Sequence, residues 1–185
     1  MPVPFFTIGH STRTVDEFAD LLRASDVRLV VDVRSMPRSR TNPQFNFDAL
    51  PDALAPLQIG YVHIAPLGGL RGKQKPAETS TNGYWRVKSF RNYADYAQGP
   101  AFAQGLAELR ALGAERRSAI MCAEAVWWRC HRRLIADYLL AAGERVFHIL
   151  GPGHVDPASL TPGARVREGG VIDYPAPEPA GPSPA

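Results

Sequence analysis

The sequence predicts a single α/β domain: a mainly parallel sheet of about five strands with helices on both faces, three-layered and Rossmann-like. Three observations lead there. Short apolar runs alternate with stretches of helical periodicity, the order expected of a parallel sheet with crossover helices. The run RLVVDV, residues 28–33, is nearly continuous and β-branched, as in a strand covered on both faces. The 185 residues, 45% apolar and 21% charged, suffice for one domain with a sizeable core and an ordinary globular composition.

The strands are expected at Phe5 to Ile8, Arg28 to Val33, Gly60 to Ile64, Ser118 to Cys122 and Arg145 to Leu150. Between the first two, Thr14-Val15-Asp16-Glu17 is a capping box, followed by the stripe Val15, Phe18, Leu21 and Leu22. Leu50, Leu54 and Leu57 form a weaker stripe, limited by Pro51 and Pro56. Pro100 opens a helix whose face carries Phe102, Leu106 and Leu109 and which Gly113 is expected to end. The last helix carries Ile135, Tyr138, Leu139 and Ala142 and closes at Gly143.

The folded body is expected at residues 4–150, with an insert at 65–98 read as a lid. Residues 151–185 are a proline- and glycine-rich tail whose last dozen residues are expected to be disordered, although the short VIDY lies against the domain in this reading. No apolar run approaches the ~20 residues that span a bilayer, so no membrane partner is expected. The N-terminus lacks a basic region followed by an apolar core, and the chain has two cysteines; both features point to a reducing cytoplasm. The net charge of +3 allows an anionic partner without requiring nucleic acid.

Ligands of open α/β sheets bind beyond the carboxyl ends of the strands. All five ends here carry polar or glycine residues, among them His10 and Ser11, Arg34 to Arg40 with Ser35, Arg38 and Ser39, Gly68 and Gly69, and the segment Cys122 to Arg132. Arg34, Arg38, Arg40, Arg132 and Arg71 are candidates to converge on phosphate, sulfate or carboxylate groups. The bland alternative is that they pair with Asp32, Glu124 or Asp16, or lie in solvent.

Both cysteines, Cys122 and Cys130, fall in one short segment with Glu124, His131 and Arg132. Their separation is not that of a zinc knuckle, and no metal is assigned. A redox pair, a nucleophile and a plain buried residue all remain open. A nucleophile would take a lowered pKa from nearby arginines, with His131, His10 and Glu124 as acid/base partners. A phosphatase cradle needs arginine six positions after the cysteine. Trp128 stands there, and Arg129 comes one residue late. No motif names a cofactor. The insert mixes Tyr84, Trp85, Phe90, Tyr93 and Tyr96 with Arg71, Lys73, Lys75, Arg86, Lys88 and Arg91. It reads either as a nucleic-acid-binding patch or as a lid whose aromatics pack on the sheet.

The segments TIGHSTRTVDEF, VVDVRSMPRSRTNPQF, YVHIAPLGG, NYADY and MCAEAVWWRCHRRLIADYL, in this order from about Thr7 to about Ile149, resemble the bacterial and archaeal family catalogued as domain of unknown function 488. The resemblance implies a single α/β domain without an established reaction. It also implies motif positions at Gly9, His10, Ser11, Asp32, Arg34, Pro37, Ser39, Tyr61, Leu67, Gly68, Tyr93, Cys122, Glu124, Cys130, His131 and Arg132. The leading expectation is a thiol-dependent enzyme on an anionic phosphate- or sulfur-containing substrate. In it Cys122 or Cys130 reacts, and Arg34, Arg38, Arg132, Ser11, Ser35, Ser39, Gly68, Gly69, Tyr61 and Tyr93 bind. The alternatives are a nucleic-acid-binding or -processing module using residues 71–96, and a non-catalytic structural or regulatory protein.

Overall fold

The computed structural model describes residues 2–179. Five parallel strands form the sheet: β1 (Phe5–Gly9), β2 (Leu29–Asp32), β3 (Gly60–His63), β4 (Ser118–Cys122) and β5 (Val146–Gly151). A sixth, β6 (His154–Pro157), adds antiparallel to β5, and the order across the sheet is β3-β2-β4-β1-β5-β6.

Side-chain alternation divides the core into two layers. Phe5, Leu29, Val31, Val33 and Ile120 face α3 (Lys88–Ala97), α4 (Pro100–Glu115) and α5 (Arg132–Ala141). Phe6, Ile8, Val30, Ala119 and Met121 face α1 (Val15–Ala24) and α2 (Leu50–Leu54). Helix α1 starts at the expected capping box: the Thr14 hydroxyl accepts from the Glu17 N–H at 3.1 Å, and the Glu17 carboxylate accepts from the Thr14 N–H at 3.4 Å. In α4, Gly113 does not end the helix. It lies inside, where any Cβ would run into the ring of Phe5, so the glycine serves packing.

The insert is built into the core. Tyr93 and Ala94 are fully buried, and Tyr93 and Tyr96 donate their hydroxyls to the carbonyls of Leu67 and Pro66 at 2.8 and 2.6 Å. The fold also runs past residue 150, where the sequence places the end of the folded body. Beyond β6, a small ribbon pairs β7 (Arg165–Val166) with β8 (Ile172–Asp173). Tyr174 ends the VIDY expected to lie against the domain, at the start of the dozen-residue stretch expected to be disordered; it is fully buried and donates to Asp137 Oδ2 at 2.8 Å. Residues 180–185, the end of that stretch, lie outside the described residues.

The topology defines where a ligand can sit. From β1 and β2 the chain turns toward the α1/α2 face, whereas from β4 it turns toward the α5 face. Strand β4, between β1 and β2, is thus flanked on both sides by the chain reversals that open a crevice at the carboxyl edge.

Candidate functional site

That crevice holds a cavity of about 340 Å³, within the range of small-molecule sites. Of the sequence-predicted residues, His10, Arg34, Ser35, Arg38, Ser39, Gly69, Cys122, Glu124, Cys130 and His131 line it. Arg132 lies directly behind Cys122, fully buried. Ser11, Tyr61, Gly68 and Tyr93 are not in its wall. Arg71 turns away, donating to the carbonyls of Gly68 and Ala65 and lying 4.0 Å from the Tyr96 ring centre. Arg40 lies on a separate depression. The cavity also takes Phe90, read in the sequence as part of the insert's aromatic patch, and Met36, Leu70, Ser89, Ala123 and Arg129, none of which carried a motif signal of its own. Arg129 entered the sequence reading only as an arginine one place late for a phosphatase cradle.

Three glycines let the strand-end loops close together. A Cβ on Gly9 would collide with the Glu124 carbonyl. One on Gly68 would lie 2.5 Å from Ser35 Oγ, and one on Gly69 2.5 Å from His131 Nδ1. Close approach accounts for both Gly68 and Gly69, and Gly69 also lines the cavity.

At the end of β2, Arg34 grips Asp32 with two donors: Nε to Oδ1 at 2.9 Å and Nη2 to Oδ2 at 2.7 Å. Tyr61 donates its hydroxyl to the same carboxylate. Asp32 is fully buried and Arg34 nearly so, so the arginine's charge is already balanced. Its remaining donor, Nη1, lies 3.3 Å from His10 Nε2. His10 Nδ1 is 2.8 Å from the Ser11 carbonyl and must carry the proton, since a carbonyl only accepts; Nε2 then accepts from Arg34. Burial, reinforced by the Arg34 charge, holds His10 below its ordinary pKa against the Ser11 carbonyl and Asp32. Its ring stacks on Phe45 at 4.5 Å.

At the end of β4 the balance differs. Arg132 Nη1 lies 2.6 Å from Cys122 Sγ and 2.7 Å from the Glu124 carbonyl, and Nη2 donates to the Ala125 carbonyl at 3.3 Å. Its Nε has no partner. No carboxylate lies within ion-pair distance of Arg132 among the described residues. As a thiol, Cys122 donates to the Glu124 carbonyl at 3.7 Å; as a thiolate it accepts from Arg132. Burial, the largest single influence, pushes Cys122 up. The Cys130 thiol, the Arg132 charge and backbone at Glu124 outweigh it and bring Cys122 down from 9.0 to about 7.

Cys130 takes the opposite direction. Burial, the hydrogen bond to Cys122 and the Cys122 charge push it well above its ordinary value, so it keeps its proton. Its Sγ lies 3.5 Å from His131 Nδ1. His131 Nε2, 2.7 Å from the Val33 carbonyl, carries the ring proton and leaves Nδ1 as an acceptor facing the thiol. Burial, assisted by Arg132, lowers His131 to about 4, so the ring is neutral. Neither Cys130 nor His131 is in the body of a helix: α5 begins at Arg132. Both cysteines are free thiols.

The rim is charged. Arg38 is exposed, 3.9 Å from Asp48 and over the Phe47 ring at 5.9 Å. Arg129 and Glu124 are exposed and have no ion pair among the described residues. No group of three or more metal-ligating side chains is present among the described residues. No helix there is long and apolar enough to cross a membrane.

Fold and site together define a mainly parallel α/β protein with a cysteine–arginine pair at the switch point of its sheet. The chain belongs to the family described as domain of unknown function DUF488, whose model matches residues 14–139. No curated protein and no solved structure matches it.

Proposed function

We propose that the protein is a thiol-dependent enzyme, with Cys122 as the nucleophile, acting on an anionic phosphate- or sulfur-containing small molecule. One observation carries this reading: among the described residues, the Cys122 sulfur is the one ionisable group that the fully buried Arg132 guanidinium hydrogen-bonds. A buried cation without an anion is costly, and a thiolate is the anion within reach. The arrangement therefore favours the reactive form of a residue that opens onto a cavity. Arg38 and Arg129 at the rim suit an anionic substituent, while Arg34, already paired with Asp32, positions His10. Glu124, without an ion pair among the described residues, is the carboxylate available for proton transfer.

The nucleic-acid reading has less to stand on. Its stacking surface would be the insert, whose Trp85 and Tyr93 are buried and whose Tyr84, Phe90 and Tyr96 pack against the same core.

The test is iodoacetamide alkylation of the reduced protein across pH, with the modified cysteine assigned by mass spectrometry. The expected result is alkylation at Cys122 with a midpoint at about pH 7. Cysteines inert until the protein is unfolded would overturn the proposal and favour the non-catalytic reading.

A further inference from the structure

A single nucleophile leaves part of this site unused. Cys130 opens onto the same cavity as Cys122 and has its own proton acceptor in His131 Nδ1, 3.5 Å away. Arg132 holds both sulfurs, donating its backbone N–H to Cys130 Sγ at 3.4 Å and Nη1 to Cys122 Sγ at 2.6 Å. The two sulfurs thus meet on one residue and face one cavity. A bystander cysteine needs neither an oriented histidine nor a place in the cavity wall.

We propose that Cys122 and Cys130 form a catalytic dithiol that reduces a small organic disulfide carrying an anionic group, Cys122 attacking and Cys130 resolving. The proposal rests on the reading of Cys122 as the nucleophile and adds the substrate class and the second step.

In the first step the Cys122 thiolate attacks one sulfur of the substrate, R–S–S–R′. A Cys122–S–S–R bond forms, the substrate S–S bond breaks, and R′S⁻ leaves. In the second step Cys130 passes its proton to His131 Nδ1 and attacks Cys122 Sγ. A Cys122–Cys130 disulfide forms, the bond to R breaks, and RS⁻ leaves. The substrate has gained two electrons and the dithiol has lost them; an external dithiol reductant restores the pair.

The order of events is built into the charges. While Cys122 is a thiolate, its charge opposes ionisation of Cys130. Capping Cys122 removes that charge and frees the Arg132 guanidinium, whose field favours a Cys130 thiolate. His131, fixed by its Nε2–H bond to the Val33 carbonyl, presents Nδ1 to the Cys130 thiol and takes its proton as the sulfur attacks. The cavity favours an organic substrate over a peroxide. Met36, Leu70 and Phe90 give it apolar walls, and Arg38 and Arg129 give it a cationic rim.

The probe is 5,5′-dithiobis(2-nitrobenzoate), a small disulfide with carboxylates, added at one equivalent to the reduced protein. The wild type is expected to release two thionitrobenzoates per reagent and to end two hydrogens lighter, without label. The second release should not depend on reagent concentration. Cys130→Ser should release one and keep the label on Cys122. His131→Gln, which retains a donor toward the Val33 carbonyl, should slow the second release by roughly tenfold or more and leave the first unchanged.

A wild-type protein that keeps a label on Cys122 overturns the dithiol cycle and leaves the nucleophile reading standing. Native protein that does not react, although the unfolded chain does, overturns both. An internal disulfide formed with hydrogen peroxide but not with the aromatic disulfide overturns the substrate class. The wild-type measurement stands even if a variant fails to fold.

Discussion

Two buried arginines sit at the carboxyl edge of the sheet, and they are balanced in different ways. Arg34, after β2, shares two hydrogen bonds with the buried carboxylate of Asp32. Arg132, after β4, has three carbonyl or sulfur contacts and no carboxylate. A carboxylate carries its charge throughout the neutral range, so the first pair is a permanent brace. A thiol carries charge only when it gives up a proton, so the second arginine holds its partner in a state suited to chemistry. The difference lies in the anion supplied and not in the arginine.

The largest effect should come from breaking the brace. Asp32→Asn leaves Arg34 buried without its counter-charge, and loss of one partner of a buried pair costs about 3–5 kcal/mol. Thermal or urea unfolding should show that loss equally at pH 7 and pH 9. Alkylation of Cys122 in the folded variant should stay within about twofold of wild type, because Asp32 does not touch that sulfur. A large fall in Cys122 reactivity would merge the two ends into one network.

Cys122→Ser tests the same cost on the conditional side. Folding lowers the Cys122 pKa from 9.0 to about 7, so its stabilisation is full above about pH 9 and is lost as pH falls toward 7. The gap between wild type and variant should therefore be largest near pH 9, roughly 3 kcal/mol at most, and should close below pH 7. A gap independent of pH would mean that Cys122 is a packed thiol and not a counter-ion.

Arg132→Met removes the cation instead. Cys122 should return toward its ordinary value, moving the alkylation midpoint up from about pH 7 toward 9. A full return would cut the thiolate fraction at pH 7 by about 50-fold, but a more basic thiolate is roughly tenfold more nucleophilic, so the rate should fall by about fivefold at most. The pH midpoint is the sharper readout, and an unmoved midpoint would sink the pairing.

This contrast was only half legible in the sequence. Asp32 and Arg34 are two residues apart in VVDVRS, so their pairing was foreseeable as the bland alternative. Arg132 and Cys122 are ten apart, and their contact depends on how Ala123 to His131 folds back over the strand end. No periodicity encodes that. The strands, the α1 capping box and the polar strand ends were readable because each is a local pattern, and the positional rule then brought His10, Arg34, Cys122 and His131 together. Strand β6 is exposed along its length and left no local trace, whereas the VIDY that ends in Tyr174 was readable as docking on the domain, though not its partners Asp137 and Asn82, both far away in the chain. Tyr61 and Tyr93 matched motif positions, but their hydroxyls serve Asp32 and the Leu67 carbonyl rather than the cavity.

The smallest effect separates bracing from chemistry within the Arg34 cluster. Tyr61→Phe removes one donor from Asp32 Oδ2, an oxygen that Arg34 Nη2 continues to serve at 2.7 Å. The carboxylate is not orphaned, so the loss should fall at the low end for a hydrogen bond, about 0.5 kcal/mol. Chemical denaturation resolves that if the slope is shared between variants. Cys122 alkylation, its pH midpoint and thionitrobenzoate release should not change. If Tyr61→Phe instead altered the reaction with the disulfide while leaving stability intact, the hydroxyl would be acting on substrate. The Asp32 cluster would then belong to the reaction, and the division between a permanent brace and a conditional charge would have to be drawn elsewhere.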